Sequence, residues 1–213
     1  MGQKAAAIVA LIGLVLALAA GLASAVDRTW IGSEGDAFTA AASWAPSGIP
    51  SGDDALTVPS GAGTINVTAA ATCGSLVVAN GTTFVFDSGA IIEAESLYFA
   101  GSVATVMRPN DGVMASASTP RIQVTSALSF GAGTTVSVLV GATLTASNTT
   151  VGDDATVRLC GPSTTLFNEV TLGQRSSLVF CGPGAVLEDA TVILQDLTGG
   201  NLFDVEATGE LEA

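Results

Sequence analysis

The chain has no histidine, and its only lysine is Lys4. Without histidine there is no Ser-His-Asp or Cys-His nucleophile and no histidine-ligated zinc. Without lysine in the body of the chain there is no Schiff-base chemistry and no lysine general base. Positive charge is scarce throughout. Five arginines (Arg28, Arg108, Arg121, Arg158, Arg175) and Lys4 face 19 carboxylates, for a formal net charge of −13. Such a surface repels nucleic acid and anionic lipid, leaving cations and cationic surfaces as electrostatic partners. The same charge also serves simply to keep a β-rich surface soluble. Aromatic residues make up only 5% of the chain. Val, Leu, Ala, Thr, Ser and Gly dominate instead, a mix that suits short strands and tight turns rather than helices.

The one long apolar run lies at the start. Ala5 to Leu22 carry no charge after Lys4, and Ala23-Ser24-Ala25 gives the small-x-small pattern that signal peptidases cut. Residues 1–25 therefore read as a signal peptide cleaved after Ala25, with the protein secreted or held at the extracellular surface. The run approaches the roughly 20 residues that span a bilayer. An uncleaved signal anchor is the alternative, and no other membrane contact is expected.

The remainder repeats. Cys160-Gly161-Pro162 falls on Cys181-Gly182-Pro183 at an offset of 21. Residues 82–101 join the same frame, with Phe84 and Phe86 matching Leu178 and Phe180. Gly89-Ala90-Ile91-Ile92-Glu93 then matches Gly184-Ala185-Val186-Leu187-Glu188, and residues 134–154 fit as well. Each unit holds three stretches of four to six residues broken by Gly, Asn, Asp or Pro. Three strands and three turns make one triangular rung. A rung cannot bury its own inner face, so rungs must stack at about 4.8 Å. The expected fold is all-β, a right-handed parallel β-helix of rungs near 20 residues. An antiparallel β-sandwich is the competitor, but it does not explain in-register repetition at this length.

Residues 26–60 hold both tryptophans and Phe38, and are expected to cap the first rung, with residues 61–213 forming the β-helix. Trp30, Phe38 and Trp44 are the natural cover for its apolar interior. An aromatic platform that stacks on sugars is the sharper alternative for Trp30 and Trp44. Residues 102–126 break the period, with two prolines and Asn110-Asp111-Gly112, and read as a rung carrying an inserted loop around Arg108 to Pro120. At the other end, either Glu206, Glu210 and Glu212 protect the edge by charge or the chain is the front of something longer.

The spacing Trp30-x-Gly32, Phe38, Ala42-x-Trp44, Pro50, Asp53-Asp54 resembles the start of β-helical modules in bacterial autotransporter passengers and large secreted adhesins. The resemblance covers roughly residues 28–100. It implies a surface-displayed β-helix with adhesion or structural display as its role, and it carries over no catalytic residue.

What chemistry remains is that of carboxylates. Asp53-Asp54 and Asp153-Asp154 are the acidic pairs, and Arg175 lies one rung beyond the second. A calcium or sugar site can be drawn from Asp153, Asp154 and Arg175. Against this, Gly-Asp-Asp is ordinary turn chemistry and adjacent strand residues face opposite ways. Glu93 and Glu188 fall at equivalent positions and suggest an outward acidic line. Cys160 and Cys181, one rung apart, fall within disulfide reach in an oxidising compartment. Two stacked thiols are the alternative, and Cys73 is left over. Asn66, Asn80 and Asn148 are sequons, which matter if the source is eukaryotic. The expected function is a non-enzymatic structural or adhesive surface module with no obligatory cofactor, calcium being the one ion with a drawable site. Its partners would be glycans or other surface proteins. A carbohydrate-binding or polysaccharide-lyase-like protein is the alternative.

Overall fold

The computed structural model describes residues 25–87, 89–100, 108–109, 120–139, 143–160, 164–181, 186–188, 191–194, 202–206 and 210–211. The predicted signal peptide and most of the predicted inserted loop lie outside them. The first strands are β1 (Asp27–Trp30), β2 (Trp44–Ala45), β3 (Ala55–Val58), β4 (Gly63–Val67), β5 (Ala71–Val78) and β6 (Thr82–Phe86). Next come β7 (Ile91–Phe99), β8 (Arg108–Pro109), β9 (Arg121–Phe130), β10 (Thr135–Leu139), β11 (Thr143–Val151) and β12 (Thr156–Cys160). The last are β13 (Thr164–Leu172), β14 (Ser177–Cys181), β15 (Val186–Glu188), β16 (Thr191–Leu194), β17 (Leu202–Glu206) and β18 (Glu210–Leu211). Among the described residues the only helical piece is one 3-10 turn, Ala41–Ser43.

Every described pairing is parallel except β1 with β2. Strands pair with their counterparts one rung on: β5 with β7, β7 with β9, β9 with β11, β11 with β13. Short strands stack likewise, as β4-β6-β8 and β10-β12-β14-β17. This is a parallel β-helix, and it excludes the sandwich. Thr156 pairs with Ser177 and Cys160 with Cys181, an offset of 21. Between β7 and β9 the offset widens, with Ile91 against Arg121, and the regular rung resumes at Arg121. The predicted break therefore ends earlier than residue 126. Arg108 and Pro109, expected at the loop's start, form a strand that pairs with Val85 and Phe86.

The triangular rung takes a different form from three separate strands. Two of its sides run on as a single bent strand. In β7 the inward residues are Ile92 and Ala94, then Leu97 and Phe99. In β5 they are Ala71 and Cys73, then Leu76 and Val78. Strand side chains alternate with period two, so a jump of three flips the facing and turns the corner. Two outward residues at the bend, Glu95 and Ser96 in β7, suffice. No Gly-Pro turn is needed, because each rung bends at the same place and its backbone stays paired to the next. At β15 and β16 the two sides separate again, pairing with the first and second halves of β13.

Inward side chains stack into columns. One runs Val78, Phe99, Phe130, Val151, Leu172, and another Leu76, Leu97, Leu128, Thr149, Val170. Both are buried along their length. Phe84 and Leu178 each sit in such a parallel column, Phe84 on Ile65 and Leu178 on Val157. Thr149 is the exception in chemistry: it is 2% exposed, and its hydroxyl has no hydrogen-bond partner. A buried, unpaired hydroxyl costs about 1–3 kcal/mol. Replacing it with valine, which matches the shape and its neighbour Val170, is expected to stabilise the fold by about 1–2 kcal/mol. A chemical denaturation curve would show this as a higher midpoint at unchanged slope.

One corner of the rung is marked by left-handed backbone. Gly61, Gly81 and Gly133 have φ of 78°, 75° and 67°, and the same place is held by Asp154 at 58° and Arg175 at 54°. Positive φ is the position where glycine is at no disadvantage and aspartate is tolerated. Each of the last three turns closes with a bond to the residue three back: Thr134 N to Gly131 O, Ala155 N to Gly152 O, Ser176 N to Gly173 O. Gly133 N also donates to Asp153 O, and Asp154 N to Gln174 O, so the corners themselves are laddered.

Candidate functional site

The tryptophans cap the stack, as expected of a first rung. Trp30 and Trp44 are 2% and 0% exposed, and Phe38 is fully buried. Trp30 meets Trp44 edge-on at 5.3 Å, and Phe38 meets Trp44 at 5.2 Å and Phe84 at 6.0 Å. The Trp44 indole N–H donates to Phe38 O at 2.7 Å. Gly32 is required beside them, because a Cβ there would come within 2.6 Å of the Trp30 ring. The aromatic sugar platform is thereby corrected. With their rings packed against one another, Trp30 and Trp44 present no face to a ligand.

Asp54 is the most constrained charge in the described structure, and its role was missed. It is 1% exposed. Its Oδ2 accepts from Arg28 Nε at 2.7 Å and from Ser51 N at 3.0 Å, and its Oδ1 accepts from Val26 N at 3.0 Å. Arg28 also donates to Pro46 O at 2.8 Å. Burial pushes the Asp54 carboxyl up, but the Arg28 guanidinium and the Ser51 and Val26 donors outweigh it and hold it below the usual range. The signal was available in the strand period. Leu56 and Val58 point inward, so residue 54 shares their side while Asp53 faces out.

Asp153, Asp154 and Arg175 do come together, but as corner bracing. Arg175 forks onto Asp154 with Nε to Oδ1 and NH2 to Oδ2, both at 2.6 Å. Asp153 Oδ1 accepts from Gln174 N at 2.8 Å. The Arg175 fork holds the Asp154 carboxyl below its usual range. Both side chains of the pair are over half exposed, where such contacts contribute little. The other acidic pair lies far along the stack, in the cap. Among the described residues no group of three or more cysteine and carboxylate side chains converges where a metal ion could sit. The expected acidic line also dissolves. Glu93 does occupy the same column as Glu188, yet Gln123, Thr145 and Leu166 lie between them.

Cys73 is free and buried, its thiol pushed up to about 12 by burial and by the charge of Asp54. At neutral pH it is an inert apolar group. Cys160 and Cys181 pair in register, while their side chains lie outside the described residues. Direct neighbours in a parallel ladder stand about 4.8 Å apart, within disulfide range. Oxidised protein is expected to show only Cys73 labelled by a thiol reagent after denaturation without reductant. Mass spectrometry of labelled peptides checks this, and label on all three cysteines would show two stacked thiols instead. Of the sequons, Asn80 is exposed in a corner turn and Asn148 is exposed at the β11 bend. Asn66 instead donates its side-chain nitrogen to Gly35 O at 2.7 Å.

One groove was not foreseen. The pairing of β9 with both neighbours slips at the bend, between Ala94 and Ser96 of β7 and between Ala146 and Asn148 of β11. The bulge opens a shallow cavity of about 290 Å³ lined by Gln123, Thr125, Thr145, Ser147 and Asn168 with Val124 and Ala146. Ser147 donates to Thr125 O at 3.0 Å. Its polar side chains are amides and hydroxyls, with no charge and no ring. Only the extra residue in one repeat could have signalled it.

Fold and placements together define a class: a parallel β-solenoid in which the Arg28–Asp54 pair braces the cap and the Arg175–Asp154 fork braces a corner. Comparison with known protein families, curated proteins and solved structures gave no match. Among the described residues no helix is long and apolar enough to cross a membrane.

Proposed function

We propose that the chain is an exported structural and adhesive β-solenoid, displayed or secreted outside the cytoplasm and without catalytic activity. The observation that supports this best is the use of its charge. The buried carboxylate holds the cap, and the Asp154–Arg175 fork braces a corner. The leader-like residues 1–25 and the resemblance to autotransporter and adhesin modules point the same way, as does an acidic surface that repels nucleic acid. No cofactor enters this reading, and Asp153 and Asp154 already accept bonds from Gln174 and Arg175. Glycans on Asn80 or Asn148 would project from corners without disturbing the core.

Expression with its own leader tests the proposal. The expected result is a chain recovered outside the cytoplasm that begins at Val26 and turns over no polysaccharide. Retention inside the cell, or cleavage of a polysaccharide, would overturn it. A second reading rests on the groove at the β9 bulge, where amides and hydroxyls suit a neutral, polyhydroxylated ligand. Glu95 and Glu169, exposed on the neighbouring rungs, would repel an anionic one. A glycan array favouring neutral over uronate-bearing oligosaccharides, with binding lost in Asn168→Ala, would support it.

A further inference from the structure

Val26 is the residue that export would leave at the head of the chain, and its nitrogen already has a partner. That nitrogen lies 3.0 Å from Asp54 Oδ1, on a carboxylate 1% exposed to solvent. The other carboxylate oxygen is taken by Arg28 and Ser51. Val26 itself is fixed in place, because its carbonyl accepts from Ala55 N at 3.1 Å at the edge of β1. We propose that cleavage between Ala25 and Val26 is a structural maturation step: the new α-ammonium forms an ion pair with Asp54 and locks the N-terminal cap.

The chemistry is a peptide hydrolysis. Water adds across the Ala25–Val26 bond, Ala25 leaves as a carboxylate and Val26 takes up protons to become an ammonium. Before cleavage the contact is a neutral amide on a carboxylate. That contact is already charge-assisted through its acceptor, and afterwards the donor is charged too, which adds an ion pair to the hydrogen bond. The partner groups need not move, since one ammonium proton keeps the direction of the amide N–H. Precursor and mature chain would thus share one fold but differ in how firmly the first rung is closed.

The inference rests on the export reading, and the absence of lysine supplies a test that separates the two. Lys4 is the only lysine, so in a chain starting at Val26 the α-amine is the sole amine that an acylating reagent can attack. Mass spectrometry of the exported chain comes first, and a start at any residue other than Val26 overturns the cleavage site and this proposal with it. With Val26 at the start, acylation at pH 7.5 is then timed for native and urea-unfolded protein. At least tenfold slower reaction in the native chain is expected, with an amine pKa raised above the ordinary value of about 7.7–8.0. In Asp54→Asn the protection is expected to fall to within about threefold of the unfolded rate. If that variant does not fold, the pH profile of acylation in the unsubstituted chain decides. A native amine that reacts at the unfolded rate, or titrates at the ordinary value, overturns the ion pair while leaving export intact.

Discussion

Truncating Phe130 to alanine is expected to destabilise the fold by about 3–5 kcal/mol, near the upper end for an aromatic in a closed core. Phe130 is 2% exposed and stacks on Phe99 with ring centres 5.3 Å apart and planes 9° from parallel. The cost depends on whether the surroundings can collapse into the space. Here they cannot, because β9 is paired residue by residue from Ala127 to Phe130 with both β7 and β11. The rung spacing is set by those backbone bonds, not by side-chain volume. The cavity therefore persists, and Phe99 loses its stacking partner as well. Phe130→Leu keeps most of the volume and is expected to cost about 1–1.5 kcal/mol. Because the two rings share one contact, Phe99→Ala and Phe130→Ala together should cost less than their sum. Chemical denaturation of the unsubstituted chain and the four variants measures all of this, and a cost below about 1 kcal/mol for Phe130→Ala would mean that the column is not dry. A solenoid is stabilised rung by rung, so the slope of the transition may be watched too: opening of the rungs beside β9 would broaden it.

Columns of this kind were legible from the repeats, although the pairing of Phe99 with Phe130 across the break in the period was not. Ile92 and Leu187 were matched by sequence, and backbone pairing links them through Ile122, Leu144 and Thr165. Cys160 and Cys181 were matched and stand in register. Periodicity carries this information because each rung solves the same packing problem as the last. Of the bends inside the long strands, the one at Asn148 was legible as a corner, whereas one such as Glu95-Ser96 was not, since no glycine, proline or asparagine stands there. What makes Glu95-Ser96 a corner is cooperation between rungs, which no single segment encodes. Glycine signalled one corner well, at Gly61, Gly81 and Gly133, yet Asp154 and Arg175 take the same left-handed place. That substitution made a structural corner look like a chemical site. Trp30 and Trp44 were open to two readings, cover for the first rung and sugar platform, and their burial fits the first. Rings rich enough to bind a sugar are also large enough to close an open stack, and the apolar end of the first rung claims them.

Asp54→Asn tests the charged half of that cap, and the expected loss is about 3 kcal/mol at pH 7. Asparagine fits the same space but cannot answer Arg28, whose side chain is only 12% exposed. Its amide also offers N–H groups where Val26, Ser51 and Arg28 already donate, so at least one contact becomes a clash of donors. The effect should depend on pH in a defined direction. The folded-state pKa of Asp54 lies below its ordinary value, which is about 3.9 for an unfolded chain. Its contribution is therefore fully present well above that value. It is lost as pH falls through the unfolded and then the folded pKa, where both states carry the proton. The difference in stability between the unsubstituted chain and Asp54→Asn should thus be constant from about pH 7 to pH 5 and shrink below pH 4. Taking the difference removes the titration of the other carboxylates, which both proteins share. Denaturation midpoints at pH 7, 5, 4 and 3 give the curve. A difference that grows on acidification would mean that Asp54 is held protonated in the fold, and the cap would then owe nothing to its charge.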